Sequence, residues 1–382
     1  MRILHTSDWH LGRSFHREGM LPAQAGFVDH LLDVVESESV DLVVVAGDVY
    51  DRALPGVDAV ALADETFARL AASRARVVVT SGNHDSAQRL GFGSRLMDAA
   101  GVHVRTDAAS VGTPVVVGAD DGDVAVYGLP YLDPQLLREP WQLPARSHEA
   151  ALAEAMRRVR VDLAGRPSGT RSVVLAHAFV AGCAPSDSER DISVGGVSMV
   201  SADVFEGVDY AALGHLHGPS TVTDRVRYSG SPLAYSFSEA GQRKGTWLVD
   251  LAARGRVSAE FVDAPVPRPM AVLRGHIDAL LDDPGLQPHE GSWLQVTLTD
   301  ALRPTQAMAR LRRRFPHTLS LHFDPEGASP VSSPAARTSG RSDHEVVLDF
   351  VGDLRGVPAT DAEATLLRQA VEACCLDPEA AS

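Results

Sequence analysis

The sequence holds little cysteine, few aromatic residues and almost no lysine. Three cysteines occur in 382 residues, Cys183 alone and Cys374 beside Cys375. That number and spacing exclude a disulfide framework and a cysteine zinc site, and fit a reducing, cytoplasmic setting. No apolar run approaches the ~18 residues of a membrane-spanning helix, so no membrane association is expected. The opening MRILHTSDWH turns polar within a few residues and does not read as a signal peptide. No GxxxxGK[ST] pattern occurs, so any dependence on ATP has to come from another chain. Lys244 is the only lysine, and every other Lys/Arg position is arginine, which we read as the base composition of the gene.

What is present is an ordinary globular mixture, 45% hydrophobic and 22% charged, long enough for two or three domains. The formal net charge is −15. Such an acidic surface argues against a nucleic-acid partner unless something local reverses it.

Short β-branched runs at 2–7, 41–47, 76–82, 123–130, 172–178, 209–215, 226–230 and 246–251 read as strands. Helical patterns at 20–38, 56–74 and 86–100 alternate with the first of them. The alternation predicts a layered α/β fold, and the closer spacing of the later strands predicts a second, mixed or antiparallel sheet. APVPRPM (264–270) is a proline-rich joint. Beyond it, SWLQVTLTD and TLSLHF flank the helical TQAMARLRRRF, giving a small α+β unit at 266–325. Residues 326–344 are rich in Ser, Pro, Gly and Ala and read as a flexible linker. In the tail 345–382, Val346, Val347, Phe350, Val351 and Leu354 have helical spacing. Thr360-x-x-Glu363 resembles a capping box that opens a second helix.

The informative residues stand just past the strands. Asp8 and His10 follow the first strand, Asp48 the second, Asn83, His84 and Asp85 the third. His177 closes a later strand, and GHLH puts His215 and His217 after another. Ends of strands next to glycine loops are where α/β folds place their sites, and residues i and i+2 of an extended segment point the same way. Oxygen and imidazole donors without thiolate suit Mn²⁺, Fe or Zn²⁺. Asp8, His10, Asp48, Asn83, His177, His215 and His217 are too many for one ion with open positions, and suit two ions sharing a carboxylate. Such a pair grips both ends of an in-line displacement at phosphorus. It also draws a phosphodiester to one spot on a chain that otherwise repels it, so nucleic-acid affinity should depend strongly on Mg²⁺ or on a more basic partner.

D-x-H, GD, GNHD, H and GHxH, in this order, resemble the calcineurin-like metallophosphoesterase superfamily. SDWHLGRSFH (7–16), AGDVYDRALP (46–55), HAFVAGCAPSDSERDISVGG (177–196) and YSGSPLAYSFSE (228–239) narrow the resemblance to the SbcD nuclease-subunit family of bacterial SbcCD complexes. It implies a two-sheet sandwich flanked by helices in four layers, with a capping domain and a helical tail. By motif, one ion would take Asp8, His10, Asp48 and His217, and the other Asp48, Asn83, His177 and His215, with Asp48 bridging. His84 would be the catalytic histidine, stabilising the transition-state phosphate or protonating the leaving 3′ oxygen, and Asp85 would orient it. Archaeal relatives often carry a second histidine just after the GD motif, where Asp51 stands here.

The resemblance also implies the activity. It is Mn²⁺-activated 3′→5′ exonuclease action on duplex ends and endonuclease action on single strands and hairpins, in DNA repair, recombination and replication. The implied partners are DNA, the SbcC ATPase gripped by the tail, and a second copy of the chain. Arg13 and His16, and Arg310, Arg312, Arg313 and Arg314 of the capping unit, are candidates for DNA backbone contact, with a solvated surface as the alternative. The rival activity is hydrolysis of small or cyclic nucleotides, which would need neither capping unit nor tail. A non-catalytic scaffold is disfavoured by the intact motif set.

Overall fold

The computed structural model describes residues 1–119, 121–182, 185–190, 192, 199–326, 341–355 and 357–376. Cys183, most of 191–198 and most of the expected linker lie outside them. The chain gathers into two units: Met1–Arg274 with Asp278–Thr297 and Gln306–His322, and Gly275–Ile277 with Leu298–Thr305 and Phe323–Ser382.

In the first unit, valine-rich runs pair into two six-stranded sheets. One has the spatial order Val257–Asp263, Gly245–Leu251, Arg2–Thr6, Leu42–Ala46, Arg76–Thr80, Val102–Arg105. Its last four strands are parallel, so their carboxyl ends emerge along one edge. The other runs Ser220–Thr223, Val226–Tyr228, Tyr210–Gly214, Arg171–His177, Val124–Gly128, Val115–Val117. It is mixed, with antiparallel strands at both edges and parallel pairs between.

Alternation of side chains explains the layering. Val44 and Val78 join Val173, Leu175 and Tyr210 in an apolar layer between the sheets. Their neighbours Val43, Val45, Val77 and Val79 point outward, onto Phe27, Leu31 and Phe67 of the helices Leu21–Ser37 and Val57–Ala72. On the far side, Val174, Ala176, Ala211 and Leu213 meet Ala151, Leu152, Ala155 and Met156 of the helix His148–Ala164. The result is helices, sheet, sheet, helices, as expected.

Two local readings change. The helix expected over 86–100 is two short helices, Ala87–Leu90 and Ser94–Ala99, separated where Gly93 takes φ +75°. Glycine makes such a break at little steric cost. The 17-residue helix His148–Ala164, whose Ser147 hydroxyl accepts from the Ala150 N–H, is an addition. A three-stranded sheet follows, in the order Met270–Gly275, Trp293–Leu298, Thr318–Phe323, with the helix Ala307–Arg314. Met270, Trp293 and Leu319 pack on Phe15, Met20, Leu233, Tyr235 and Phe237.

The second unit contains helices Asp343–Arg355 and Asp361–Leu376. The Thr360–Glu363 capping box is present in both directions, and Ser342–Glu345 forms another. No helix among the described residues is long and apolar enough to cross a membrane.

Candidate metal centre

Each loop that carries the candidate ligands is anchored by a neighbour. In Asp8-Trp9-His10, the Trp9 ring is buried against Phe27 and Phe67, which leaves Asp8 and His10 on the other side. In Gly214-His215-Leu216-His217, Leu216 fills the core of the second sheet in the same way. The first loop is laced to the second by Asp8 N–H to the Gly47 carbonyl (3.1 Å) and His10 N–H to the Asp48 carbonyl (3.0 Å). Asp8, His10, Asp48 and His215 all have positive φ, at 53°, 46°, 51° and 104°. Strained non-glycine backbone gathered at one place is a mark of function. The glycines of GNHD and GHLH are required by close approach. A Cβ on Gly82 would lie 2.1 Å from Asp48 Oδ1, and one on Gly214 would lie 1.9 Å from the Ala46 carbonyl.

The structure brings all seven expected ligands together. His10 Nε2 lies 3.0 Å from His217 Nε2 and 3.7 Å from Asp48 Oδ2. His177 Nε2 lies 2.8 Å from Asn83 Oδ1 and 3.4 Å from Asp48 Oδ2. His215 Nδ1 lies 3.3 Å from Asn83 Oδ1, and its backbone N–H donates to both oxygens of Asp8 at 3.1 Å. Ligand atoms of Asp8, His10 and His217 lie within 4.8 Å of one another, as do those of Asp8, Asp48 and His177 and those of His10, Asp48 and His84. His215 therefore lies against Asn83, and His217 against His10.

Hydrogen bonding decides which ring nitrogens are bare. His177 Nδ1 donates to the Ala46 carbonyl at 2.9 Å, so in the neutral ring Nε2 is a lone pair aimed at the oxygens of Asn83 and Asp48. His217 Nδ1 is 2.6 Å from Ser188 Oγ and 3.3 Å from Glu239 Oε1, which leaves its Nε2 facing His10. With these rings neutral, acceptors face acceptors in a buried cluster, which fits a divalent cation in place of the proton that His177 otherwise holds. Asn83 Nδ2 and His10 Nδ1 are buried with no hydrogen-bond partner.

The charge states follow from burial and neighbours. Burial pushes the Asp8 carboxyl up to about 6, against the pull of His177 and His217. Burial acts the same way on Asp48, but the charge and hydrogen bond of His177 hold it well below the carboxylate range. Burial pulls His177 down, yet Asp48 outweighs it and raises the ring to about 9. Burial lowers His215 to about 3 and also lowers His10 and His84.

One expected role changes. His84 Nδ1 is bonded at 2.7 Å to the carbonyl of Asp51, not to Asp85. The Asp85 carboxylate instead accepts from the N–H groups of Gly82, Val49 and Tyr50 at 2.9, 3.1 and 2.9 Å, and so ties two ligand loops together. The Asp51 side chain lies 3.8 Å from His10 Nδ1 and 3.7 Å from Arg13. Arg13 is bound inward, to the Ser188 carbonyl at 2.9 Å and over the Tyr235 ring, while His16 is exposed against Phe15 and Phe237. Arg310 pairs with Asp278, Arg312 with the Thr318 carbonyl and Arg314 with Glu290, and Arg313 is exposed.

Sequence reading gave no site role to Ser188, Glu239, Lys244 or Gln24. Gln24 Nε2 donates to the His10 carbonyl at 2.8 Å and to Tyr235 Oη at 3.0 Å, which steadies the first loop. A glutamate in SFSE five residues before the lone lysine was the available signal for the others.

Among solved structures, TT1561 of Thermus thermophilus is 12% identical, over 68% of this chain and 98% of that one, with a TM-score of 0.41. GAP50, described as the anchor in the inner membrane complex of Plasmodium, is 12% identical over 86% and 98%, with a TM-score of 0.40. A dimetal phosphatase from Danio rerio is 14% identical over 69% and 99%, with a TM-score of 0.40. Residues 266–352 match the type 5 capsule protein repressor C-terminal domain, SbcD_C. Residues 1–219, more than half of the sequence, match the calcineurin-like phosphoesterase model. The chain belongs to the calcineurin-like phosphoesterase family.

Proposed function

We propose that the chain is the DNA nuclease subunit of an SbcCD-type complex. Its substrate would be DNA, cut as a 3′→5′ exonuclease on duplex ends and as an endonuclease on single strands and hairpins. The observation that carries the reading is the joining, in one chain, of a phosphoesterase domain at 1–219 to an SbcD_C domain at 266–352. The metal assignment is Asp8, His10, Asp48 and His217 for one ion and Asp48, Asn83, His177 and His215 for the other, with Mn²⁺ as activator. The domain division that goes with it is nuclease 1–265, capping 266–325, linker 326–344 and SbcC-binding tail 345–382.

When bound, the ions would polarise the phosphate and supply a nucleophile near neutral pH. The chain's own contribution is placement. The five loops hold the ligands, and the Asp85 carboxylate keeps the second and third loops in register. His84 stands beside the ligands, its ring 4.7 Å from that of His10 and its Nδ1–H fixed by Asp51. That leaves Nε2 to act on the phosphate or the leaving 3′ oxygen. Leu54, Val57, Phe92 and Leu96 are each exposed, and we assign them to the contact with a second copy of the chain.

Purified chain with Mn²⁺ should degrade linear duplex DNA. If bis-p-nitrophenyl phosphate or cyclic AMP is cut far faster than any DNA, with or without SbcC, the small-substrate reading replaces this one. With a net charge of −15, the lone chain should bind DNA weakly in EDTA, and tight binding there would contradict the electrostatic argument.

A further inference from the structure

Two segments, SDSER (186–190) and YSGSPLAYSFSE (228–239), supply none of the proposed ligands. They meet at His217. Its backbone N–H donates to Glu189 Oε1 at 2.8 Å, and Glu189 is itself held by the N–H and hydroxyl of Ser186. Its backbone carbonyl accepts from Lys244 Nζ at 2.8 Å. Its Nδ1 faces Ser188 Oγ at 2.6 Å and Glu239 Oε1 at 3.3 Å, and the Ser188 hydroxyl donates to the same Glu239 oxygen. His217, Glu239, Lys244 and Ser188 are all buried.

We infer that Glu239 is the positioning residue for His217: with Ser188 and Lys244 it fixes the Nδ1–H of the imidazole and so presents Nε2 to the ion. This rests on the metal reading proposed above and adds the residues that orient one ligand. A buried carboxylate needs a buried cation beside it, and Lys244 Nζ lies 2.5 Å from Glu239 Oε2. The same ammonium reaches Ser231 Oγ and Gln242 Oε1, each at 3.0 Å. Four oxygens converging on one nitrogen suit a compact ammonium and not the planar fork of a guanidinium. That accounts for one lysine in a chain whose other basic residues of this kind are all arginine. The other half of the centre is supported differently, since His177 Nδ1 is held by a backbone carbonyl.

The asymmetry sets the test: calorimetric titration of the metal-free full chain with Mn²⁺. Wild type should take up two ions. Glu239→Gln should weaken one of them by about 10- to 100-fold, the usual cost of losing an outer partner of a ligating histidine, and leave the other unchanged. Wild type that takes up no pair of ions defeats the metal reading itself. Wild type with two ions and a variant that binds both as tightly overturns the positioning role alone. Equal weakening of both ions also overturns it, because the damage is then to the fold of the centre. If circular dichroism in EDTA shows that Glu239→Gln does not fold, Ser188→Ala, a change in a loop that leaves the Glu239–Lys244 pair intact, is judged on the same outcomes.

Discussion

The loops around Asp48 and the C-terminal helices both carry complete local signals, yet they differ in what covers them. Asp8, His10, Asp48, His177, His215 and His217 are all buried, closed in by the two sheets and their own neighbours. In the helices Asp343–Arg355 and Asp361–Leu376, Phe350, Leu354 and Leu366 remain 61%, 70% and 66% exposed. Both helices have capping boxes, so nothing local is missing. Helices of 13 and 16 residues are marginal alone, and an exposed apolar stripe gains its stability from a surface that buries it. The candidate centre is thus closed in by its own chain, whereas the tail leaves apolar residues exposed, as the proposed partner-binding role requires.

The sharpest break of that comparison is at Asp48, proposed to touch both ions. Asp48→Asn should weaken both and lower Mn²⁺-dependent hydrolysis by more than the ~100-fold upper cost of an outer-partner change, measured by calorimetry beside a DNA degradation assay. Retention of two tightly held ions would remove Asp48 from the bridging position. Next comes His84→Gln, for which we expect a rate loss of about 10²- to 10⁴-fold with both ions still bound. A parallel loss of metal would instead make His84 a ligand, as its place beside His10 and Asp48 allows. Lys244→Arg should weaken the His217-side ion by roughly 10-fold, and full tolerance would show that the compact ammonium is not required. Deleting 345–382 should leave hydrolysis by the lone chain unchanged and abolish association with SbcC, and unchanged co-purification would refute the tail assignment. The smallest effect is Thr360→Ala, expected to cost the second tail helix about 0.5–2 kcal/mol, read by amide exchange in that helix alone.

In the two large sheets, the strands that were legible are central ones. Leu42–Ala46, Arg171–His177 and Tyr210–Gly214 are buried on both faces and read as continuous apolar runs. The strands that escaped notice in the two large sheets, Val102–Arg105, Val115–Val117, Ser220–Thr223 and Val257–Asp263, all lie at sheet edges. They have one paired side and alternate less accessible with more accessible residues, so their sequence signal is weak. The Asp85 role failed for a related reason. Adjacency to His84 suggested a bond between them, but the fold brings Asp85 to three backbone N–H groups and gives His84 the carbonyl of Asp51.

The sequence by itself determined where oxygen and imidazole donors stand relative to strand ends, because alternation and glycine placement are local properties. It also determined the capping of both tail helices, which needs only residues three apart. Only the tertiary structure decided which nitrogen of His177 and of His217 faces the cluster and what holds the other. Those partners lie far off in the chain: Ala46 is 131 residues from His177, and Ser188 is 29 from His217. Pairing at such distances is set by how the two sheets stack, and no local pattern encodes it.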